Sequence, residues 1–338
     1  MKLIKNKITS LSLMATFAVS LLSSCNSIYE DLEPCEQGLK VRFVYDYNME
    51  FANAFHSQVD CLTLMIYDSE GNFVDQKVAH HNEISNENYR MDLDLPEGNY
   101  TLLAYGGLDC EKPSFMLGSR AEETGMEGMS VNVLPEMITA PEGNALHHLY
   151  YGRHEVAVSK EGTRADGLRE TTVYMMKDTN DFRVILAYED GRTIDVDEFE
   201  ISITDDNTHL DWKNDVIRKG GVKYYPWTRG NSALGENEDG SEAIAAYAEI
   251  STSRLVEEND ARLEVKRKSD GKKVVSIPLT EVLLLLKSDR FNWMGNQEFL
   301  DRQSVWNLSF ILTGDAYWAN TSIVINNWIV KINNINGK

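Results

Sequence analysis

Basic residues and prolines are scarce in this sequence of 338 residues. Lys and Arg together number 33 against 53 Asp and Glu, which gives a formal net charge of −20. A chain this acidic repels phosphate backbones and anionic lipid headgroups, so nucleic acid is not expected as a partner. The 7 prolines and 22 glycines are too few for a collagen-like or proline-rich architecture. With 42% hydrophobic residues, the chain has too much apolar material to be disordered, and its length suits about two domains.

A hydrophobic run long enough to cross a bilayer is also missing. The longest apolar segment, Ile8–Leu22, has about 15 residues, whereas a spanning helix needs roughly 20. This segment follows a basic start that contains Lys2, Lys5 and Lys7 and no acidic residue. A basic start followed by a short apolar stretch is typical of a secretory signal peptide, so residues 1–24 are predicted to be removed.

The signal segment ends in Leu22-Ser23-Ser24-Cys25, which resembles a bacterial lipobox. In a lipobox, small residues precede a cysteine that is acylated and becomes the first residue of the mature chain. We therefore predict that Cys25 carries acyl chains and that residues 25–37 form a lipidated tether to the outer membrane. The alternative is a soluble secreted protein with a chance cysteine at the cleavage site.

Cysteine is used sparingly in the remainder of the chain. With Cys25 set aside, three cysteines remain, namely Cys35, Cys61 and Cys110. An odd number in an oxidising compartment allows at most one intrachain disulfide and leaves a spare thiol. No pair has the CxxC spacing of a zinc or redox motif, so buried cysteines with or without one bridge are expected.

Alternating apolar and polar residues predict short strands in the first half of the chain. Leu39–Tyr47 alternates with period two, and Leu62–Ile66 pairs naturally with Phe73–Ala79 across a turn rich in Asp, Ser and Gly. Further strands are predicted before and after Pro96-Glu97-Gly98-Asn99. Residues 111–145 lose this pattern, which favours a long surface excursion. The spacing of the strands predicts an N-terminal β-sandwich over residues 38–160.

The second half of the chain repeats this all-β pattern. Residues 160–167 contain no apolar side chain larger than alanine and are interpreted as the linker between domains. A C-terminal β-sandwich is predicted over residues 168–338, with a clear hairpin formed by Ala261–Arg267 and Val274–Leu279. The leucine-rich run Thr280–Lys287 fits either a short helix or a buried strand.

The C-terminus carries the pattern of a tight β-hairpin. Apolar residues alternate on both sides of the Asn326-Asn327 step, at Ile323, Ile325, Trp328, Val330 and Ile332. Two central asparagines suit a type I′ turn. We interpret this segment either as a hairpin that completes its own sandwich or as a strand that is exchanged with a neighbouring subunit, and we favour the first.

Residues that could perform catalysis or bind a metal are poorly arranged. GxSxG, HExxH, Walker A and GxGxxG motifs are absent from the sequence. The adjacent pairs His80-His81 and His147-His148 would point to opposite faces of a strand, so neither pair chelates one metal. Asp205–His209 is similar to the start of a calcium loop but lacks the required glycine and glutamate. We therefore predict no enzyme activity, metal site or cofactor.

One aromatic run offers an alternative function. Tyr224, Tyr225 and Trp227 could form a sugar-stacking platform, as expected in a surface glycan-binding lipoprotein. Core aromatic residues around Pro226 are the interpretation we favour.

Six strings stand out in a fixed order along the chain. The longest are Phe43–Phe55, followed by Val59-Asp60-Cys61, and Gln297–Gln303; the others are Leu95–Tyr100, Lys177–Asn180 and Ile325–Trp328. Together they resemble the FimB-type fimbrial anchoring-subunit family of Bacteroidota. Asn327 departs from the glycine expected in the terminal turn, but asparagine tolerates the left-handed backbone region.

The resemblance implies a fold and a function for the chain. It implies two tandem transthyretin-like β-sandwich domains and a lipid-anchored location in the outer membrane. It also implies a role in holding the base of a type V fimbria and limiting its length, with the fimbrial shaft subunit as the protein partner. In such assemblies, a strand from one subunit fills the groove of its neighbour.

Overall fold

The computed structural model describes residues 38–119, 121–138, 143–159, 168–236, 240–314, 318, 322–326 and 328–331. The predicted signal peptide, the tether with Cys25, and the linker at residues 160–167 lie outside these ranges. Strands dominate the described residues, so the prediction of an all-β protein is confirmed. Within this part of the chain, no helix has the length and hydrophobicity needed to span a bilayer.

Twenty strands are described, numbered β1 to β20 in chain order: Gly38–Val44, Cys61–Asp68, Phe73–His80, Met91–Leu93, Gly98–Gly106, Phe115–Leu117, Ser130–Val133, Tyr150–Val158, Leu168–Lys177, Thr179–Tyr188, Phe199–Asp205, His209–Asp211, Val222–Tyr224, Thr228–Glu236, Glu242–Ser253, Arg262–Arg267, Lys273–Pro278, Val305–Leu312, Ser322–Ile325 and Trp328–Lys331. The described α-helices, α1 to α6, are Phe55–Gln58, His81–Ile84, Ala121–Thr124, Leu279–Leu284, Ser288–Phe291 and Asn296–Arg302. Short 3₁₀ helices cover Met126–Gly128, Pro135–Ile138, Val196–Glu198 and Leu285–Lys287.

The first half of the chain builds a seven-stranded sheet in the order β3-β2-β5-β8-β9-β1-β4. The predicted hairpin of β2 and β3 is confirmed, since these strands pair in antiparallel fashion around the turn at Asp68–Asn72. Strand β4 pairs with β1 and not with β5, its neighbour in sequence. The turn at Pro96–Asn99 therefore connects strands that are not adjacent in the sheet.

Strands β2 and β5 are buried on both faces. Leu62, Leu64 and Ile66 pack in a core with residues of β1, whereas Met65 and Tyr67 point to the opposite face and join a second core. A strand that is covered on both sides is apolar throughout, which explains the nearly continuous burial of β2.

One strand crosses the boundary that the sequence pattern predicts between two domains. Strand β9, which the sequence pattern assigns to the second domain, pairs in parallel with β1 along its length, from Gly38↔Leu168 to Val44↔Tyr174. It also pairs with β8. The linker-like composition of residues 160–167 therefore separates two strands of the same sheet, and the chain leaves this sheet at Asp178.

The predicted surface excursion at residues 111–145 is also wrong. Phe115, Met129, Val131 and Val133 in this segment are buried in the second core. Strands β6 and β7 form a three-stranded sheet in the order β12-β7-β6, so β7 pairs with a strand from the second half of the chain. Irregular composition here reflects very short strands, which give little room for a period-two pattern.

The second half forms a six-stranded sheet, β14-β15-β10-β18-β19-β20, and a four-stranded sheet, β13-β11-β16-β17. Apolar residues of both sheets, including Val184, Trp306, Ile203 and Val265, belong to one core. The predicted hairpin of β16 and β17 is confirmed. The ambiguous run after Leu279 is helical, with α4 followed by a 3₁₀ turn.

Candidate functional site

The predicted terminal hairpin is present and extends the six-stranded sheet. Strand β19 pairs with β20 in the register Ile325↔Trp328, and with β18 in the register Leu308↔Ile325. Ile323 and Ile325 are buried in the core. The side chains of Trp328 and Val330 are not described, and Ile332 and Asn327 lie outside the described residues.

Asn326 begins the turn of this hairpin with a positive φ of 47°. Asparagine is one of the residues that tolerate the left-handed region. Its backbone N–H donates to Asn307 O at 2.9 Å, and its Oδ1 accepts from Asn307 N at 2.7 Å. The turn is therefore fixed to β18 as well as closing the hairpin. Strand β20 is the last strand in this sheet, and its outer edge has no paired strand among the described residues.

A rigid loop follows β1 and presents Phe51 to solvent. The Asn48 side chain is almost fully buried, donates to the carbonyls of Tyr45 and Ala52, and accepts from Glu50 N. These bonds hold Phe51 at a φ of 52°, a conformation that costs a bulky residue about 1 to 2 kcal/mol. The ring is nevertheless half exposed, so core packing does not compensate for the strain.

Arg302 in α6, which lies 256 residues after Asp46 in the chain, holds this loop through hydrogen bonds and ring contacts. Its Nη1 donates to the carbonyls of Asp46 and Asn48 at 3.3 and 3.4 Å. The guanidinium lies 4.0 Å from the ring centroid of Tyr47 and 4.8 Å from that of Phe51, while Nε donates to Glu298 at 2.8 Å. The two longest strings of the family resemblance therefore meet at Arg302.

Trp293 completes an exposed aromatic surface at this meeting point. It is 63% exposed, and its ring centroid lies 6.2 Å from that of Phe51, which is 50% exposed. We call Tyr47, Phe51, Trp293 and Arg302 the aromatic junction. It joins the two halves of the chain and supplies the residue types that contribute most to protein interfaces.

A buried polar cluster lies beneath this region, where the chain passes from β9 to β10. Arg254 donates from Nε and Nη2 to the two oxygens of Asp301, each at 2.9 Å. It also donates to the carbonyl of Asn214, whose side chain donates to Asp178 Oδ1 at 2.8 Å. Burial raises the pKa of Asp178 to about 7, although the Arg254 charge and the Asn214 hydrogen bond oppose the shift.

The Asp178–Asn214 pair leaves two acceptors without a hydrogen-bond donor among the described residues, Asp178 Oδ2 and Asn214 Oδ1. Both oxygens are buried, and a buried acceptor without a donor is costly. A proton on Asp178 turns one acceptor into a donor. The raised pKa means that the Asp178 carboxyl is mostly protonated in the folded chain below about pH 7, where it would be ionised in an unfolded chain.

We expect Asp178→Asn to flatten the pH dependence of the unfolding free energy. The folded pKa of Asp178 is about 7 and exceeds the ~3.9 of an unfolded chain, so folding takes up a proton between these values. The stabilisation is complete below about pH 4 and is lost as the pH rises through the folded pKa.

Urea unfolding of the wild type should therefore give a free energy higher at about pH 5 than at about pH 8, with an Asp178 contribution on the order of 2 kcal/mol. Asp178→Asn should lose that contribution, and the exposed Asp75→Asn control should keep it. The same pH dependence in the wild type and in Asp178→Asn would contradict this account.

One disulfide joins Cys61 and Cys110, with a Cα–Cα distance of 5.5 Å and a sequence separation of 49. This is the single intrachain bridge that the cysteine count allows. It ties the start of β2 to the segment after β5. Cys35, the third cysteine, lies outside the described residues.

The adjacent residues His147 and His148 contact different carboxylates. His81 and His147 both approach Asp60, at 3.5 and 3.7 Å, whereas His148 contacts Asp181 at 3.0 Å. Among the described residues, no group of three or more His, Cys, Asp or Glu is arranged to hold a metal ion.

The segment that is similar to a calcium loop has a structural role. Asp205 Oδ1 accepts from Asp206 N and Asn259 Nδ2, and the Asn207 side chain donates to the carbonyls of Ser253 and Arg254. These bonds position the loop that carries the chain from β11 into β12. Strands β11 and β12 do not pair with each other across this loop, because β12 pairs with β7.

The aromatic run divides between core and surface. Tyr224 is buried, and its hydroxyl donates to Asn207 Oδ1 at 2.7 Å, so it cannot stack on a sugar. Trp227 is 41% exposed and lines a cleft together with Tyr225. The prediction of core aromatics therefore holds for Tyr224 and is wrong for Trp227.

The contacts of Arg302 and the Arg254–Asp301 ion pair could not be predicted from local sequence patterns. The role of Arg302 requires a contact across 256 residues, and only the co-occurrence of the strings around Asp46 and Arg302 in one family resemblance points to it. The Arg254–Asp301 pair carries no local signal, because its partners come from a loop and a helix that are 47 residues apart.

The chain is similar to a family of fimbrial anchor proteins and to adhesin-like proteins of known structure. A model of the family described as fimbrillin-A associated anchor proteins Mfa1 and Mfa2 matches residues 32–334. A candidate adhesin from Bacteroides thetaiotaomicron is 45% identical, with a TM-score of 0.83, over 90% of this chain and 100% of that chain. A candidate adhesin from Bacteroides ovatus is 26% identical, with a TM-score of 0.72, over 93% of this chain and 100% of that chain.

The fimbrial anchor protein Mfa2 from Porphyromonas gingivalis shares the fold at 16% identity, with a TM-score of 0.64, over 88% of this chain and 99% of that chain. Among curated proteins, none matches this sequence. The matched family defines the class as structural anchor proteins of fimbriae at the cell surface. The chain belongs to the Mfa2 family of fimbrillin-A associated anchor proteins, which confirms the resemblance to a fimbrial anchoring family.

Proposed function

We propose that this protein is a lipid-anchored outer-membrane subunit that attaches the base of a fimbria to the cell surface and limits its length. The observation that carries the proposal is the match to a family of fimbrial anchor proteins over residues 32–334. The lipobox at Leu22–Cys25 supports the membrane attachment, because acyl chains on Cys25 can hold even an acidic protein on a bilayer.

The fold belongs to the same proposal. Two tandem transthyretin-like β-sandwiches account for the sheets if β9 is assigned to the first of them. The two halves share a feature that supports this division: β1 pairs in parallel with β9, and β10 pairs in parallel with β18. In each half, an early strand thus lies beside a strand that comes much later in the chain.

The contact with the shaft subunit is proposed to use strand complementation. An edge strand presents a row of backbone N–H and C=O groups that a strand from a partner can pair with. Among the described strands, β20 has such an unpaired edge, and the neighbouring strand β19 is held by β18 and by the buried Ile323 and Ile325. The hairpin therefore completes its own sheet and leaves one edge for the shaft subunit.

Length limitation follows from the same arrangement. A shaft subunit extends the polymer because it donates a strand to its neighbour. A subunit whose terminal hairpin stays in its own sheet has no outgoing strand of this kind, so growth stops where it is incorporated.

Replacing Cys25 with Ala is expected to release the protein from the membrane. The first described strand begins at Gly38, so the variant should retain the described fold while losing its acyl chains. After fractionation, Cys25→Ala should appear in soluble fractions and should no longer incorporate labelled palmitate. Cys35→Ala, which removes a cysteine from the same predicted tether, is the matched control and should remain with the outer membrane. Palmitate labelling of Cys25→Ala would show that the lipobox interpretation is wrong.

A further inference from the structure

A cleft of about 440 Å³ lies beside Trp227, at the start of β14. We call it the Trp227 cleft and define it by six lining residues: Val196, Phe199, Tyr225, Trp227, Arg229 and Lys268. Neither the terminal hairpin nor the aromatic junction contributes to it. Its size suits one or two rings of a small ligand.

The floor and one wall of the Trp227 cleft are apolar. Val196 and Phe199 form the floor. Both are buried and belong to the packed core, so their positions are fixed without a ligand. Trp227 remains 41% exposed although its backbone N–H donates to Glu249 O at 2.9 Å, which fixes it against β15. A surface tryptophan held by its backbone offers a flat stacking face at little entropic cost.

A glycine supports this wall from behind. Gly143 N donates to Pro226 O at 3.1 Å, and a Cβ added at Gly143 would lie 1.9 Å from the carbonyl oxygen of Tyr225. This close backbone approach requires glycine. The loop at Gly143 therefore packs tightly on Tyr225 and Pro226, and the wall is formed before any ligand arrives.

The rim of the Trp227 cleft carries positive charge. Arg229 is oriented by Asp197 at 3.2 Å, and the backbone of Lys268 is fixed by a hydrogen bond from its N–H to Glu198 O at 2.8 Å. The one acidic lining residue, Glu200, lies 3.9 Å from Lys223, outside the lining. With the ion-pair partners Asp197 and Lys223 counted, three cations stand against two carboxylates, so the rim has a small positive excess in a chain whose net charge is −20.

We propose that the Trp227 cleft binds an anionic carbohydrate, with a sugar ring stacked on Trp227 and a carboxylate paired with Arg229 and Lys268. An aromatic face matches the apolar face of a pyranose ring, and charge-assisted hydrogen bonds to a carboxylate are stronger than neutral ones. The class therefore includes uronic-acid oligosaccharides and excludes neutral glycans as the preferred ligand. This binding activity is separate from the anchoring role.

Isothermal titration of the folded mature chain with a galacturonic acid hexamer tests the proposal, with maltohexaose as the neutral probe. We expect the acidic hexamer to bind at least tenfold more tightly than the neutral one. Trp227→Ala should weaken binding of the acidic hexamer at least tenfold, and the double variant Arg229→Gln with Lys268→Gln at least fivefold. Trp293→Ala, which removes an even more exposed tryptophan elsewhere, is the matched control and should bind like the wild type.

Three results would overturn the proposal. They are equal affinity for the two hexamers, unchanged affinity in Trp227→Ala, and an absence of binding at millimolar concentrations of the acidic hexamer. A short polyphosphate of equal charge distinguishes stacking from bulk electrostatics, because it should bind more weakly and be insensitive to Trp227→Ala. Circular dichroism and thermal melts of each variant verify that a loss of binding is not a loss of fold.

Discussion

Removing residues 321–338 is expected to unfold the half of the protein that contains β10 to β18. Ile323 and Ile325 on β19 are buried in the core, and each such side chain contributes about 1.5 to 3 kcal/mol. Together they amount to a large share of the ~5 to 15 kcal/mol by which a domain is stable. The truncation also exposes the edge of β18, which then invites aggregation. Differential scanning calorimetry of the full mature chain and of the truncated chain measures the effect.

Point variants in β19 distinguish the effect of losing buried side chains from the effect of shortening the chain. Ile325→Ala should cost about 2 to 5 kcal/mol, because it leaves a cavity in a packed core. Val324→Ala is the matched control, since Val324 is only half-buried and its neighbours on both sides point into the core. It should cost less than ~1.5 kcal/mol. An unchanged melting transition after truncation would instead favour a hairpin that is free to be donated to another subunit.

Asp301→Ala is expected to destabilise the protein by about 3 to 5 kcal/mol, because it leaves the buried Arg254 without its bidentate partner. The effect should be large even though the pair itself adds little net stability, since the cost arises from an uncompensated buried charge. Arg254→Lys should not rescue the site, because a lysine cannot make two parallel bonds to the carboxylate. Urea unfolding of each variant measures the loss.

The chain contains a matched control for this prediction. Arg267 and Asp270 form the same kind of two-pronged contact, from Nε and Nη2, but on the protein surface. Asp270→Ala should therefore leave the unfolding midpoint nearly unchanged, since solvent screens exposed ion pairs. Similar losses in Asp301→Ala and Asp270→Ala would contradict the claim that burial determines the effect.

Local pairings were predictable from sequence, and distant ones were not. The hairpins around Asp68–Asn72 and Ser269–Gly271 follow from turn residues between alternating strands. The pairing of β9 with β1 has no local sequence signal, because parallel strands are not joined by a tight turn, and the composition of residues 160–167 is that of a linker. The short strands β6 and β7 were missed because three or four residues do not establish a period.

In the candidate site too, local features could be predicted from sequence and distant contacts could not. Alternation placed Ile323 and Ile325 on one face, and the Asn-Asn step located the turn, because both signals are local. The strings around Phe51 and Arg302 could be marked by family resemblance, but their contact depends on the tertiary fold. The aromatic run in the sequence indicates Tyr225 and Trp227 of the Trp227 cleft. It does not indicate Arg229 and Lys268, which reach the cleft only through the packing of β11, β14 and the turn after β16.

The attachment of fimbriae to cells tests the central claim most directly. The fraction of filament protein in cell-free medium is measured for a strain lacking this protein and for the same strain supplied with wild type, Cys25→Ala or Cys35→Ala. We expect long filaments in the medium for the deletion and for Cys25→Ala, and cell-bound filaments for wild type and Cys35→Ala. Filaments of normal length that stay firmly attached to the deletion strain would contradict the anchoring function.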